Sequence, residues 1–490
     1  MRKRRARRSI YTLEEAIARR KSIPAMPHFH PLIYLLLTLL LLLQVSSQST
    51  VEFLPGFDGP LPFHLETGYV GVGEREEIQL FYYFIKSEGN PDEDPLMVWL
   101  TGGPGCSAFS GLVFEIGPLS FKLKEYGESL PELVYNPYSW TKTSSIIFVD
   151  APVGTGFSYA TVKSAYRTGD LGQVRDLNHF IIKWLIGHPE LASRPVYLGG
   201  DSYSGLTLPA LVQAIIHGNQ AGREPFVNIK GYLLGNPITD QTIDGNSQVP
   251  FAHGMALISD ELYESLQRTC KGQYRFFDPS NEDCLRDIMA YDQCVVGLPL
   301  NQILEPLCPF AAPRPGGEAL GKVRFLIEQV FRDDPPAPAP PDSSCRSYGY
   351  KLAPNWINDE DVQDALHVRK GSIETWSRCV YGLQYTNDIP GSLQYHANLS
   401  RHGCRSLIYS GDHDMIIPFL GTQAWIRSLN YSVVDDWRPW TVNGQIGGYT
   451  RTYANGMTFA TVKGGGHTAP EYKPRESLAM YQRWISQEPL

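Results

Sequence analysis

The sequence predicts an α/β fold, with a mostly parallel central sheet and helices on both faces. Three observations carry this. Short apolar runs alternate with helix-like stretches along much of the chain, the pattern of a sheet covered on both sides. One run, Val196-Tyr197-Leu198-Gly199, enters Gly200-Asp201-Ser202-Tyr203-Ser204-Gly205 and is followed by a helix-like stretch from Leu206 to Ile216. Two later runs open into polar loops carrying Asp414 and His467, so serine, aspartate and histidine follow one another, each just past a strand.

Taken in chain order, Ile78 to Ile85 and Pro95 to Leu100 read as a hairpin turning through Gly89-Asn90-Pro91. Thr101-Gly102-Gly103-Pro104-Gly105-Cys106-Ser107 comes next, and its glycines let backbone N–H groups approach a developing oxyanion. Ile146 to Val149 is a short buried strand, and Asp176 to Leu185 an amphipathic helix. The Ser202 segment then has the form of the nucleophile elbow of an α/β hydrolase. The turn is tight enough to need small flanking residues, and it pushes the hydroxyl out at the carboxyl edge of the sheet. The usual pattern is G-x-S-x-G, and Ser204 fills the last small position. Lys230 to Leu234 is a strand ended by Gly235-Asn236-Pro237. Leu407-Ile408-Tyr409 leads into Ser410-Gly411-Asp412-His413-Asp414, and Met457 to Val462 into Gly464-Gly465-Gly466-His467. Ser, Asp, His is the order of this fold.

A serine hydroxyl becomes a good nucleophile when a base removes its proton. Ser202 is the candidate nucleophile, His467 the base, and Asp414 or Asp412 the acid that orients the imidazole. The N–H groups of Gly103 and Tyr203 are the candidate oxyanion hole.

Residues 1–47 differ from the rest. Leu32 to Leu43 is mostly leucine, too short to span a bilayer and suited to the apolar core of a signal peptide, with Val45-Ser46-Ser47 as the small residues before cleavage. The basic stretch ahead of it is long, and Met26 would begin an ordinary signal peptide. An Arg-rich transit peptide is the rival, against which Glu14 and Glu15 count. Without this segment the chain, 48–490, has 34 basic and 49 acidic residues, a formal charge of about −15. No basic face is left to track phosphates, which argues against nucleic-acid partners. No metal-spaced Cys/His cluster or phosphate-loop motif occurs, so neither a metal nor a cofactor is expected, nor a membrane anchor once the signal is removed. Eight cysteines behind a signal peptide suggest disulfides, and the sequons at Asn398 and Asn430 fit secretion.

The region from about 241 to 355 breaks the alternation. It is cysteine-rich and reads as an irregular insertion covering the site. Within it, about 311–342 is a Pro-rich linker too rich in proline to pack as helix or strand.

Several segments in fixed order resemble the plant serine carboxypeptidase-like family. They are Gly102-Gly103-Pro104-Gly105-Cys106-Ser107, Asp150-Ala151-Pro152-Val153-Gly154-Thr155-Gly156-Phe157-Ser158-Tyr159, the elbow, Gly235-Asn236-Pro237, and His467-Thr468-Ala469-Pro470-Glu471-Tyr472. The resemblance covers roughly residues 50 to 488. It implies the pairs Cys106–Cys379, Cys270–Cys284 and Cys308–Cys345, leaving Cys294 and Cys404 paired or free. It favours Asp414 over Asp412 as the triad acid. It implies vacuolar or extracellular residence, and a two-chain form if the linker is cut. Family peptidases grip the substrate's terminal carboxylate with Asn, Gly, Glu and Glu, at positions matching Thr101, Gly102, Glu115 and Asp201. Replacing Asn by Thr101 removes a donor, and replacing Glu by Asp201 withdraws a carboxyl by about 1.5 Å. The acyltransferase branch resembles the chain at both places. That branch implies transfer from a 1-O-acyl-β-glucose ester to an alcohol of a specialised metabolite. Carboxypeptidase action on peptide C-termini is the alternative, and a binding or processing protein with a relic site the third reading.

Overall fold

A computed structural model describes residues 48–308 and 345–490. The signal segment and the Pro-rich linker lie outside the described residues. One sheet runs through the molecule. Its main strands are β1 (Gln48–Val51), β2 (Leu65–Val72), β3 (Ile78–Ile85), β4 (Leu96–Leu100), β5 (Ser145–Val149), β6 (Val196–Asp201), β7 (Ile229–Gly235), β8 (Arg405–Gly411), β9 (Val433–Val442), β10 (Gln445–Tyr453) and β11 (Met457–Val462). Their spatial order is β1-β2-β3-β5-β4-β6-β7-β8-β11-β10-β9, and a short strand at Tyr159–Ala160 pairs with β3. From β5 to β11 every neighbouring pair is parallel, and both wings are antiparallel.

The central strands explain the parallel core. All five residues of β4 and of β5 are buried, with no polar alternation, because both faces of the sheet are covered. Met97 and Trp99 enter one core, with Trp140, Tyr481 and Trp484. Val98 and Leu100 enter the other. There they join Phe180 and Trp184 of helix α1 (Asp170–Gly187) and Leu206 and Leu211 of helix α2 (Ser204–Gln220).

Two expectations need correction. The strands at 78–85 and 96–100 exist but do not form a hairpin, because β5 lies between them. It pairs antiparallel with β3 (Tyr82 opposite Val149) and parallel with β4 (Met97 opposite Ile146). An apolar run buried on both faces is best satisfied by two parallel neighbours, so β4 moves inward and leaves β2 as the hairpin partner of β3. The second correction concerns 241–355, which is largely helical from 241 to 295. Helices α3 (Gln241–Asn246), α4 (Gln248–Gly254), α5 (Asp260–Cys270) and α6 (Glu282–Val295) follow β7. Asp240, Ser259 and Asn281 cap three of them through side-chain oxygens. The group has its own small core of Val249, Phe251, Leu266, Ile288 and Tyr291.

The disulfides are Cys106–Cys379, Cys270–Cys284 and Cys308–Cys345, while Cys294, exposed, and Cys404, buried, are unpaired. Asn430 is exposed, whereas the half-buried Asn398 lies on a helix and donates its amide to Gln213. Among the described residues no helix is long and apolar enough to cross a membrane.

Two of the disulfides join residues before the linker to residues after it. Cutting the chain between 311 and 342 is therefore expected to leave one band on non-reducing electrophoresis and two on reducing electrophoresis, with activity kept. Two bands without reductant would contradict this connectivity.

Candidate active site

The carboxyl ends of five parallel-core strands deliver the site. Thr101, Gly102 and Gly103 follow β4, Ser202 follows β6, Asn236 follows β7, Asp414 lies beyond β8, and His467 lies beyond β11. Such strand ends are where open α/β sheets gather their chemistry. At the elbow Ser202 has a left-handed φ of 52°. A Cβ on Gly102 would fall 2.7 Å from the Ser202 Cβ and 3.0 Å from the Tyr203 nitrogen, so the loop after β4 approaches the nucleophile this closely only through glycine.

The imidazole of His467 bridges the nucleophile and an acid. Its Nε2 is 2.8 Å from Ser202 Oγ, and its Nδ1 is 2.8 Å from Asp414 Oδ2. Asp414 is fully buried and also accepts from Asn236 Nδ2 (2.7 Å) and from the N–H groups of Ile416 (2.8 Å) and Ile417 (3.3 Å). Its charge is thus matched by four donors, one of them the imidazole. Asp412 faces elsewhere. It accepts from the Gly464 N–H and pairs with His413, so it braces the loop before His467. Burial pulls the His467 pKa down, but the charge and hydrogen bond of Asp414, with the charge of Asp201, outweigh it and raise the value above the usual imidazole range.

The N–H groups of Gly103 and Tyr203 have no protein acceptor among the described residues. The Gly102 N–H donates to Asp201 Oδ1 at 2.8 Å. Asp201 is buried and its pKa is pushed up to about 6 by desolvation, opposed by His467 and by the Gly102 N–H. Glu115 ends the short turn Gly111–Glu115, and burial, followed by the negative charges of Asp201 and Glu471, raises its pKa well above the carboxylate range. Its Oε2 and the Oγ1 of Thr101 are buried without partners. The arrangement can take a proton from Ser202, hold a tetrahedral oxyanion between two N–H groups, and favour the protonated form of the buried Glu115.

Sequence reasoning gave no role to several residues that hold these groups. Asn236 fixes Asp414 and also accepts the Gly411 N–H. Asp150 accepts from Ser107 Oγ and from the Ala108 and Phe157 N–H groups, which sets the course of the chain after the glycine loop. Arg346 bridges Glu305 and Glu471, tying the insertion to the helix turn after His467. Asn301 accepts the His467 N–H at 2.7 Å. Asn236 and Asp150 stand inside segments that carried the family resemblance. Arg346 and Asn301 had no local signal.

Comparison with known proteins gives one consistent result. A family model described as serine carboxypeptidase matches residues 55–487. Serine carboxypeptidase-like 2 of Arabidopsis thaliana is 55% identical over 446 residues, covering 91% of this chain and 94% of its own. Serine carboxypeptidase-like 7 of the same plant is 54% identical over 460 residues, covering 94% and 98%. Among solved structures, Kex1(Δ)p, a prohormone-processing carboxypeptidase from Saccharomyces cerevisiae, superposes with a TM-score of 0.69 at 21% identity, covering 90% of this chain and 96% of its own, a likeness of fold.

Ser202→Ala and His467→Ala are each expected to lower turnover by roughly 10⁴-fold or more, and the double variant little further, since such groups act as a unit. Asp414→Asn should cost far more than Asp412→Asn. The kcat/KM profile should rise with pH as His467 loses its proton. Because the charge on Asp201 helps to hold that proton, Asp201→Asn should move the rising limb to lower pH. A limb that stays in place would show that Asp201 and His467 do not interact.

Proposed function

The chain belongs to the serine carboxypeptidase family, and from that premise we propose that it is an acyltransferase working through an acyl-Ser202 intermediate. Ser202 Oγ attacks the ester carbonyl of a 1-O-acyl-β-glucose while His467 takes the serine proton. Glucose then leaves with that proton. An alcohol gives its own proton to His467, attacks the acyl-serine and departs as the new ester, and Ser202 recovers its proton. Asp414 holds the imidazole, and the N–H groups of Gly103 and Tyr203 take the oxyanion. The partners are thus a small acyl donor and an alcohol acceptor. The three disulfides suit a secretory route, ending in the vacuole or outside the cell.

One observation carries the reading. Where a peptidase grips a terminal carboxylate, this chain offers Thr101, and the carboxyl of Asp201 is turned onto the Gly102 N–H of the loop after β4. A peptide carboxylate would meet the buried Asp201 with Glu471 close by, and burying like charges together is costly. A neutral sugar ester brings no such charge.

Carboxypeptidase action is the second reading, and Glu115 favours it. A carboxyl held protonated by burial, with one oxygen unpartnered, can donate to a substrate carboxylate under acidic conditions.

The test is to give the protein an acylglucose with a panel of alcohols and, separately, a blocked dipeptide at acidic pH. Ester formation without peptide cleavage supports acyl transfer, and the reverse outcome supports the peptidase. Thr101→Asn with Asp201→Glu should lower acyl transfer about tenfold or more, the effect of roughly 1.4 kcal/mol of lost positioning, and should bring in C-terminal trimming below about pH 5.5. Full transfer retained by the double variant would show that these two residues do not set the reaction.

A further inference from the structure

The two N–H groups assigned to the oxyanion come from residues 100 positions apart, one after β4 and one in the elbow. A third segment, 378–389, touches the supports of both. On the β4 side, Cys379 is bonded to Cys106, the Val380 N–H donates to the Gly105 carbonyl at 2.9 Å, and the Arg378 carbonyl accepts the Ser107 N–H at 2.8 Å. Leu383 packs so closely that a Cβ on Gly105 would fall 2.7 Å from its Cδ1.

On the elbow side the connection runs through a carboxylate. Asp170 is the first residue of α1 and is fully buried. Its Oδ1 accepts the Tyr203 hydroxyl at 2.7 Å and the Tyr385 hydroxyl at 2.8 Å, and its Oδ2 accepts the Ile389 N–H at 2.8 Å. Tyr385 and Thr386 also form a short parallel ladder with Thr168 and Gly169, just before α1. Burial, reinforced by Asp170, raises the pKa of both phenols, so they remain donors. Tyr203 is therefore held at its far end by a side chain, while its N–H stays without a protein acceptor at the site. Only two torsions separate the ring from the backbone, so anchoring the hydroxyl restrains the peptide that carries the N–H.

We propose that Asp170 is a positioning residue for acyl-enzyme formation, and that it and segment 378–389 together set the separation of the Gly103 and Tyr203 donors. This rests on the Ser202 reading above. As the Ser202 Oγ–carbon bond forms, the carbonyl electron pair moves onto oxygen and the serine proton onto His467. The oxygen then lies between two donors whose spacing was fixed before the substrate arrived. Removing such a donor outright costs roughly 10²–10³-fold, and displacing one costs less.

Three variants test this on the full chain. Tyr203→Phe removes one hydroxyl and should slow acetylation by p-nitrophenyl acetate about tenfold, with KM unchanged. Phenylboronic acid, whose adduct with a serine places an oxygen in the oxyanion hole, should lose affinity by a similar factor. Asp170→Asn should act in the same direction and more strongly, because an amide accepts at one end only and so sets its NH2 against either the Ile389 N–H or the two phenol donors. Tyr385→Phe takes a hydroxyl from the same carboxylate without releasing Tyr203, and should lower boronate affinity less than Tyr203→Phe does; a larger loss would overturn the assignment to Asp170 and Tyr203. A merely structural role would lower melting temperature without changing boronate affinity in the folded protein, and that result would overturn the proposal. So would a Tyr203→Phe variant that acetylates at the unmodified rate. Labelling of unmodified Ser202 by a fluorophosphonate separates the two levels: failure to label overturns the acyl-enzyme reading itself, whereas normal labelling with unchanged variants overturns only the role of Asp170.

Discussion

Ser202 occupies a left-handed backbone conformation that costs a residue with a Cβ roughly 1–3 kcal/mol, and backbone hydrogen bonds to the end of β7 hold it there. Its N–H donates to the Gly235 carbonyl at 2.9 Å, and its carbonyl accepts the Ile238 N–H at 2.9 Å. The rest of the site depends on this pinning. Between Gly235 and Ile238 stands Asn236, whose side chain is thereby delivered to Asp414, and Asp414 in turn fixes the imidazole that faces Ser202. The strained residue and its base are thus located by one short stretch of chain. A change at the end of β7 would act on nucleophile and acid together.

The electrostatics follow from the same compactness. Asp201 precedes the nucleophile and is buried, and Glu115, buried as well, feels the charges of Asp201 and Glu471. Desolvation raises the pKa of both Asp201 and Glu115, and the carboxyl of Asp414 accepts from four donors. Two kinds of carboxyl therefore sit a few residues' width apart. One is ringed by donors and orients the imidazole, and the other is desolvated with its pKa raised.

How much of this was legible in the sequence divides by the range of the signal. The elbow, the glycine loop and the strand ends carrying Asp414 and His467 were readable, because each rests on a turn or an apolar run within about ten residues. The neighbour of β4 was not, because a polar turn between two strands looks alike whether they pair or are separated by a third. The helices of the insertion had usable signals that were outweighed by cysteines and prolines nearby, among them Ser259-Asp260-Glu261 ahead of α5. The β9–β10 ribbon likewise turns at Asn443-Gly444, both at positive φ, a local hairpin signal that the reading passed over. Asp170 belongs to a harder class. Its partners lie 33, 215 and 219 residues away, and nothing near it in the chain announces them.

The bond between Cys106 and Cys379 also has a consequence for the order of synthesis. The two cysteines are 273 residues apart, and Cys270, Cys284, Cys294, Cys308 and Cys345 leave the ribosome between them. The near pairs, 14 and 37 residues apart, can close as soon as each second member emerges, and their closure removes four of those five competitors. Cys294 is then the one remaining thiol that can capture Cys106 early, and it is exposed in the finished protein. In an oxidising compartment the glycine loop is therefore completed late, by a cross-link whose correct partner arrives sixth, and thiol–disulfide exchange is the step that rescues chains joined through Cys294.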